Sequence, residues 1–127
     1  MEDELFNTGI AIREQMWGPE GAQLKVDRSS EFQRDLEEMV TRYCFGATWG
    51  RGGLTHGERS MLTLGMLIAL GRSHEIGVHV VGAVNNGLTR EQIKEILLHA
   101  AVYCGIPASV DAFRTAEPVL DQLEANA

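Results

Sequence analysis

Between Leu64 and Gly87 the chain reads LGMLIALGRSHEIGVHVVGAVNNG. An apolar run from Leu64 to Leu70 meets Gly71, and a second apolar segment follows and closes at Asn85, Asn86 and Gly87. Such a stretch folds as two helical segments broken at the glycine, and both must be covered by other parts of the chain. Yet Arg72, His74, Glu75 and His79 are threaded through it. Burying a charge is costly unless it is paired. These residues are therefore either a satisfied structural network or a site.

The remaining sequence is helical in period nearly everywhere and strand-like almost nowhere. A first helix is expected over about Glu2–Trp17, with Leu5, Ile10, Ile12 and Met16 apolar, stopping at Gly18-Pro19. Gly18 to Arg28 reads as a loop. Ser30 with Gln33 forms a capping-box pattern, and Phe32, Leu36, Met39, Val40 and Tyr43 make an apolar stripe on a second helix reaching about Ala47. The glycine-rich Trp49–Gly53 cannot continue it cheaply. Thr55 with Glu58 opens a third helix to about Leu70, and a fourth runs over about Ser73–Asn85 with Gly87 as its stop. Thr89 with Gln92 opens a fifth to about Tyr103, and the last spans about Ala108–Leu123. The expected fold is all-α, a single domain over 1–127 with about six helices.

Charge and composition narrow the function classes. The net charge of −7 argues against a nucleic-acid surface, which would show a basic stripe. The longest apolar run, Met61 to Leu70, is far short of the roughly 20 residues that span a bilayer. MEDELFNTGI lacks the basic-then-apolar order of a signal peptide. The expectation is a soluble cytoplasmic protein with no membrane or nucleic-acid partner. Cys44 and Cys104 lie far apart and form no C-x-x-C, so they read as reduced thiols.

Spacings of three and four put Arg72, Glu75 and His79 on one helical face. A carboxylate four residues before an imidazole can orient its tautomer and raise its pKa, as an acid–base pair needs. A local Glu–His surface contact explains the same spacing, and spacing alone leans that way. Metal binding has less support, because Glu75 and His79 supply two ligands and there is no H-E-x-x-H. Glu58 is explained by its capping box. Arg59 is not, since a cation near a helix N-terminus gains nothing from the helix dipole and suggests an anionic partner. Arg51, in the glycine loop, is a candidate for the same partner. His99 and Tyr103 share a helical face, where a packed histidine is the ordinary outcome. Trp49 can wall a pocket or simply pack.

TRYCFGATWGRGGL, ERSMLTLGMLIALGR with the following Glu75 and His79, NNGLTREQIKEILLHAAVYCGIPAS and AFRTAEPVL together resemble the carboxymuconolactone decarboxylase family. The resemblance runs from Gly9 to Leu120. The family's wider relatives, the alkylhydroperoxidase D-like peroxidases, carry a C-x-x-C followed by a histidine. Here the two cysteine positions are Arg72 and Glu75, with His79 retained, which favours the decarboxylase branch. Gly52 stands where the family pattern has proline, and Glu58 and Cys104 also depart from it.

The resemblance implies an alkylhydroperoxidase D-like fold with a central antiparallel helix pair, assembled as a homotrimer or homohexamer. It implies cofactor-free loss of CO2 from γ-carboxymuconolactone, giving β-ketoadipate enol-lactone in protocatechuate degradation. His79, Glu75 and Arg72 are the implied catalytic residues; Arg59, Arg51, Trp49 and Tyr103 are the implied substrate contacts, with no metal. The alternatives are a redox enzyme of the peroxidase kind and a related decarboxylase acting on another cyclic acid.

Overall fold

A computed structural model describes residues 3–127. Every regular element among them is helical: α1 (Glu4–Trp17), a 3-10 turn (Pro19–Gly21), α2 (Gln23–Asp27), α3 (Glu31–Met39), a π-helix (Val40–Trp49), α4 (His56–Leu70), α5 (Ser73–Asn85), α6 (Arg90–Cys104) and α7 (Ile106–Ala125). The all-α expectation holds, with seven α-helices rather than six. The extra one is α2, inside the segment expected to be a loop. It forms because Val26 is buried and Gln23 reaches Asp27 one turn on, at 2.9 Å. Arg34 then donates to the carbonyls of Asp27 and Ser29 at its end, at 3.0 and 2.8 Å. The expected start at Glu2 lies outside the described residues.

The chain divides into two compact units, residues 1–55 and His56–Ala127. In the first, α1 packs on the π-helix. The approach is close enough that a Cβ on Gly9 would stand 1.9 Å from the Thr41 carbonyl oxygen, and one on Gly46 2.2 Å from that of Leu5. Only glycine fits at either crossing. Thr41, Phe45 and Trp49 are buried at intervals of four. Ile12, Met16, Phe45 and Trp49 form the core of this unit, with Trp17 edge-on to Phe45 at 5.5 Å.

Arg13 is buried within it, which nothing in the local sequence pattern predicts. Its Nε donates to the Gly21 carbonyl at 2.9 Å; Nη1 donates to Glu37 at 3.0 Å and Thr41 Oγ1 at 2.9 Å. One guanidinium thus ties α1 to the turn after it, to α3 and to the π-helix. The apolar stripe of α3 does the opposite of what its period suggested. Phe32, Leu36, Met39 and Tyr43 are exposed, Phe32 at 95%, while Val40 of the same stripe packs against the core of this unit.

In the second unit, α4 packs on α5 and α6, and α7 packs on α5 and α6. Leu64, Ile68, Ile76, Val80, Ile93, Leu97, Ala112 and Ala116 fill the centre. α4 ends at Gly71 (φ 71°), where the Gly71 and Arg72 amides donate to the Ile68 and Leu67 carbonyls. α5 ends the same way at Gly87 (φ 97°), with Gly87 and Leu88 donating to Val84 and Ala83. Both are the paired bonds of a left-handed glycine stop. Thr89 and Gln92 complete the expected capping box of α6. Ser73 and Ser109 lock α7 in place, through Asp111 at 2.6 Å and the Leu97 carbonyl at 2.8 Å. No helix among the described residues is long and apolar enough to cross a membrane.

Candidate active site

The glycine stop at Gly71 turns the chain straight into α5, with Arg72 as its N-cap residue. From there the helical period sets Arg72, Glu75 and His79 along one face. Arg72 and Glu75 are exposed and His79 is partly buried. Burial pushes the His79 imidazole below the ordinary histidine range, and Glu75, one turn earlier, opposes that shift only in part. In the free protein His79 is therefore neutral at neutral pH, an N–H donor on one nitrogen and an acceptor on the other.

The same face continues to Asn86, seven residues beyond His79. Asn86 Nδ2 donates to Ser60 Oγ at 3.0 Å, and its Oδ1 is buried without receiving a hydrogen bond. Ser60 is fully buried and adjoins Arg59, which is half-buried on the first turns of α4. This bond fixes the α4 turn that carries Arg59 to the end of the helix that carries His79. Neither Asn86 nor Ser60 stood out as a site residue in the sequence, although the three-and-four spacing from Arg72 extends directly to Asn86.

The other expected contacts lie on other elements. Trp49 is buried in the first unit, tilted against Phe45 at 5.7 Å. Arg51 follows it in an exposed segment whose amide donates to the Thr48 carbonyl. Tyr103 is 78% exposed on α6, its ring 4.9 Å from His99. α5 and α6 each pack on α4 and α7, so they lie across the core from one another.

Among the described residues no three His, Cys, Asp or Glu side chains converge as a metal site. Cys44 and Cys104 are free, one on the π-helix and the other at the end of α6. Burial pushes the Cys44 thiol up, away from the thiolate a redox centre uses.

An α5 face with a cation at the helix start, a carboxylate and a partly buried imidazole suits an enzyme acting on an anion. Residues 34–118 match the carboxymuconolactone decarboxylase family, and the chain belongs to it. It is 37% identical over 119 residues to the nitrosuccinic acid decarboxylase npaB of Metarhizium robertsii, covering 94% of this chain and 83% of that one. It is 32% identical over 122 residues to the 4-carboxymuconolactone decarboxylase of Acinetobacter baylyi, covering 96% of this chain and 91% of that one. Family and relatives alike support a decarboxylase, and the two relatives differ in the acid their names carry.

Proposed function

We propose that the chain is a cytoplasmic, cofactor-free carboxy-lyase. Its substrate in this reading is γ-carboxymuconolactone and its product β-ketoadipate enol-lactone, within protocatechuate degradation. The observation that carries the reading is the α5 face, where Arg72, Glu75 and a partly buried His79 lie in line in a chain of this family.

The chemistry needs no electron sink beyond the substrate. As CO2 leaves, the bonding electrons pass through the ring alkene into the lactone carbonyl, so negative charge develops on an oxygen remote from the departing group. Donors already aimed at that oxygen lower the barrier most. In this reading Arg72, Arg59 and Arg51 hold the carboxylates and the developing enolate, and Trp49 supplies an apolar wall. His79 delivers the proton to carbon, oriented by Glu75. Its neutrality in the free protein is compatible with that role, because an arriving dianion raises the proton affinity of the imidazole. α4 and α5 serve as the antiparallel pair that carries the site, and the protein assembles as a trimer or hexamer. Tyr103 enters this reading only from another copy.

A second reading is favoured by the higher identity to the nitrosuccinic acid decarboxylase. Nitrosuccinic acid is also a dicarboxylate, and CO2 lost from its nitro-bearing carbon leaves a nitronate. The same cations and the same proton donor would serve. Incubation with each acid, following CO2 release and product identity, separates the two. Release from the lactone with enol-lactone formation supports the first reading, and release only from nitrosuccinic acid replaces it with the second. Turnover of neither removes both.

A further inference from the structure

Ser60, Leu64 and Ile68 recur every four residues along α4, and all three are buried, Ser60 at 0% exposure. The serine is the polar member of an otherwise apolar stripe, and it meets Asn86, whose Nδ2 donates to Ser60 Oγ at 3.0 Å. The backbone is held on both sides of this bond. The Asn86 amide donates to the Gly82 and Ala83 carbonyls at 2.9 and 3.1 Å, and Thr63 Oγ1 donates to the Arg59 carbonyl at 2.8 Å. We propose that Asn86 is a positioning residue for the decarboxylation: through Ser60 it sets where Arg59 stands relative to His79.

Two observations set this apart from plain packing. The first is cost. Asn86 Oδ1 is buried, and among the described residues no donor reaches it. A buried acceptor left unpaired is expensive, whereas two apolar side chains of the same shape would close the same gap at little cost. Stability alone would favour the apolar pair. The second is alignment. Arg72, His79 and Asn86 follow at intervals of seven, two helical turns, so they share one face of α5, and Asn86 meets α4 there. Asn86 lies about 10 Å of helix away from His79 and bonds Ser60 instead, so its influence runs through the α4 turn that carries Arg59. A displacement of about 1 Å between binding and reacting groups can cost on the order of a hundredfold in rate.

The inference rests on the anion-holding role proposed for Arg59. It gives Asn86 no contact with the substrate, so Glu75 and His79 keep their own pH dependence when Asn86 is changed.

Steady-state kinetics of the full chain, on whichever of the two acids is turned over, tests it by a double-mutant cycle. Asn86→Ala should lower kcat/KM about ten- to a hundredfold in the wild-type background. In an Arg59→Ala background it should cost less than about twofold, because a residue that acts by placing Arg59 has nothing left to place. The pH profile of kcat should keep its wild-type shape. If Asn86→Ala folds poorly, the double variant Ser60→Ala, Asn86→Leu provides a second measurement. It should unfold near the wild-type urea midpoint and still show the loss of kcat/KM. An equal loss in both backgrounds, or a shifted pH profile, would overturn the inference. So would a double variant that is destabilised but turns over normally while folded. Arg59→Ala at wild-type kcat/KM would overturn the proposed role of Arg59 and this inference with it, whereas an impaired Arg59→Ala beside a fully active Asn86→Ala would overturn the inference alone. Turnover of neither acid would remove it together with both readings.

Discussion

At the scale of single residues, burial meets a titratable imidazole at His79 and a hydrogen-bonded guanidinium at Arg13. His79 is held neutral by burial that the nearby Glu75 does not outweigh. As pH falls past about 6.5 the unfolded chain takes up the imidazole proton first, so stability drops between that value and the lower folded-state pKa, then levels. Denaturant midpoints measured across this window should fall with pH in the wild type and fall less in His79→Gln. For catalysis, His79→Ala should cost about 100-fold or more in kcat, the usual weight of a general acid, with assembly intact. Near-normal turnover would remove the proton-donor role. Arg13 is buried with its guanidinium hydrogen-bonded to Glu37, Thr41 and the Gly21 carbonyl. Arg13→Ala leaves Glu37 largely buried beside lost partners and should destabilise by about 3 kcal/mol, read as a shift in urea midpoint at constant m-value.

Among the elements, the close crossing of α1 and the π-helix is the tightest constraint in the first unit. Gly9→Ala drives a Cβ into the Thr41 backbone, which cannot swing aside as a side-chain tip would. About 1–3 kcal/mol of destabilisation is expected, as for other overpacked sites. Gly65→Ala, whose Cβ would meet nothing within 4 Å, is the matched control in a helix interior. There the better helix propensity of alanine should leave stability unchanged or slightly raised; comparable losses at both positions would contradict the crossing argument. The second unit is held by local devices instead: glycine stops at Gly71 and Gly87 and the Thr89–Gln92 box. These short turns bring α5 directly off α4, so that the Arg72–Glu75–His79 face starts where α4 ends.

For the whole molecule, a net charge of −7 sets a general repulsion against any dicarboxylate. Binding one requires cations placed locally, which is the role proposed for Arg51, Arg59 and Arg72. Apolar side chains of α3, α4 and α6 stand exposed, and the proposed self-association would give them cover. If assembly holds the fold together, Tm should rise with protein concentration, because association stabilises only the folded chain. A Tm that stays constant over a hundredfold range would argue against an assembly coupled to folding.

The sequence by itself determined the four helices of the second unit, the Thr89–Gln92 capping box, the glycine stops at Gly71 and Gly87, and the alignment of Arg72, Glu75 and His79. Each of these depends on residues within about one or two turns of one another, joined by backbone bonds and helical period. Its motifs also carried the family. Only the tertiary structure decided which faces were covered. It turned most of the α3 stripe outward, sank Arg13 among partners up to 28 residues away, and extended α3 as a π-helix against α1. A periodic pattern defines a face but not its neighbour, and burial is a property of the neighbour.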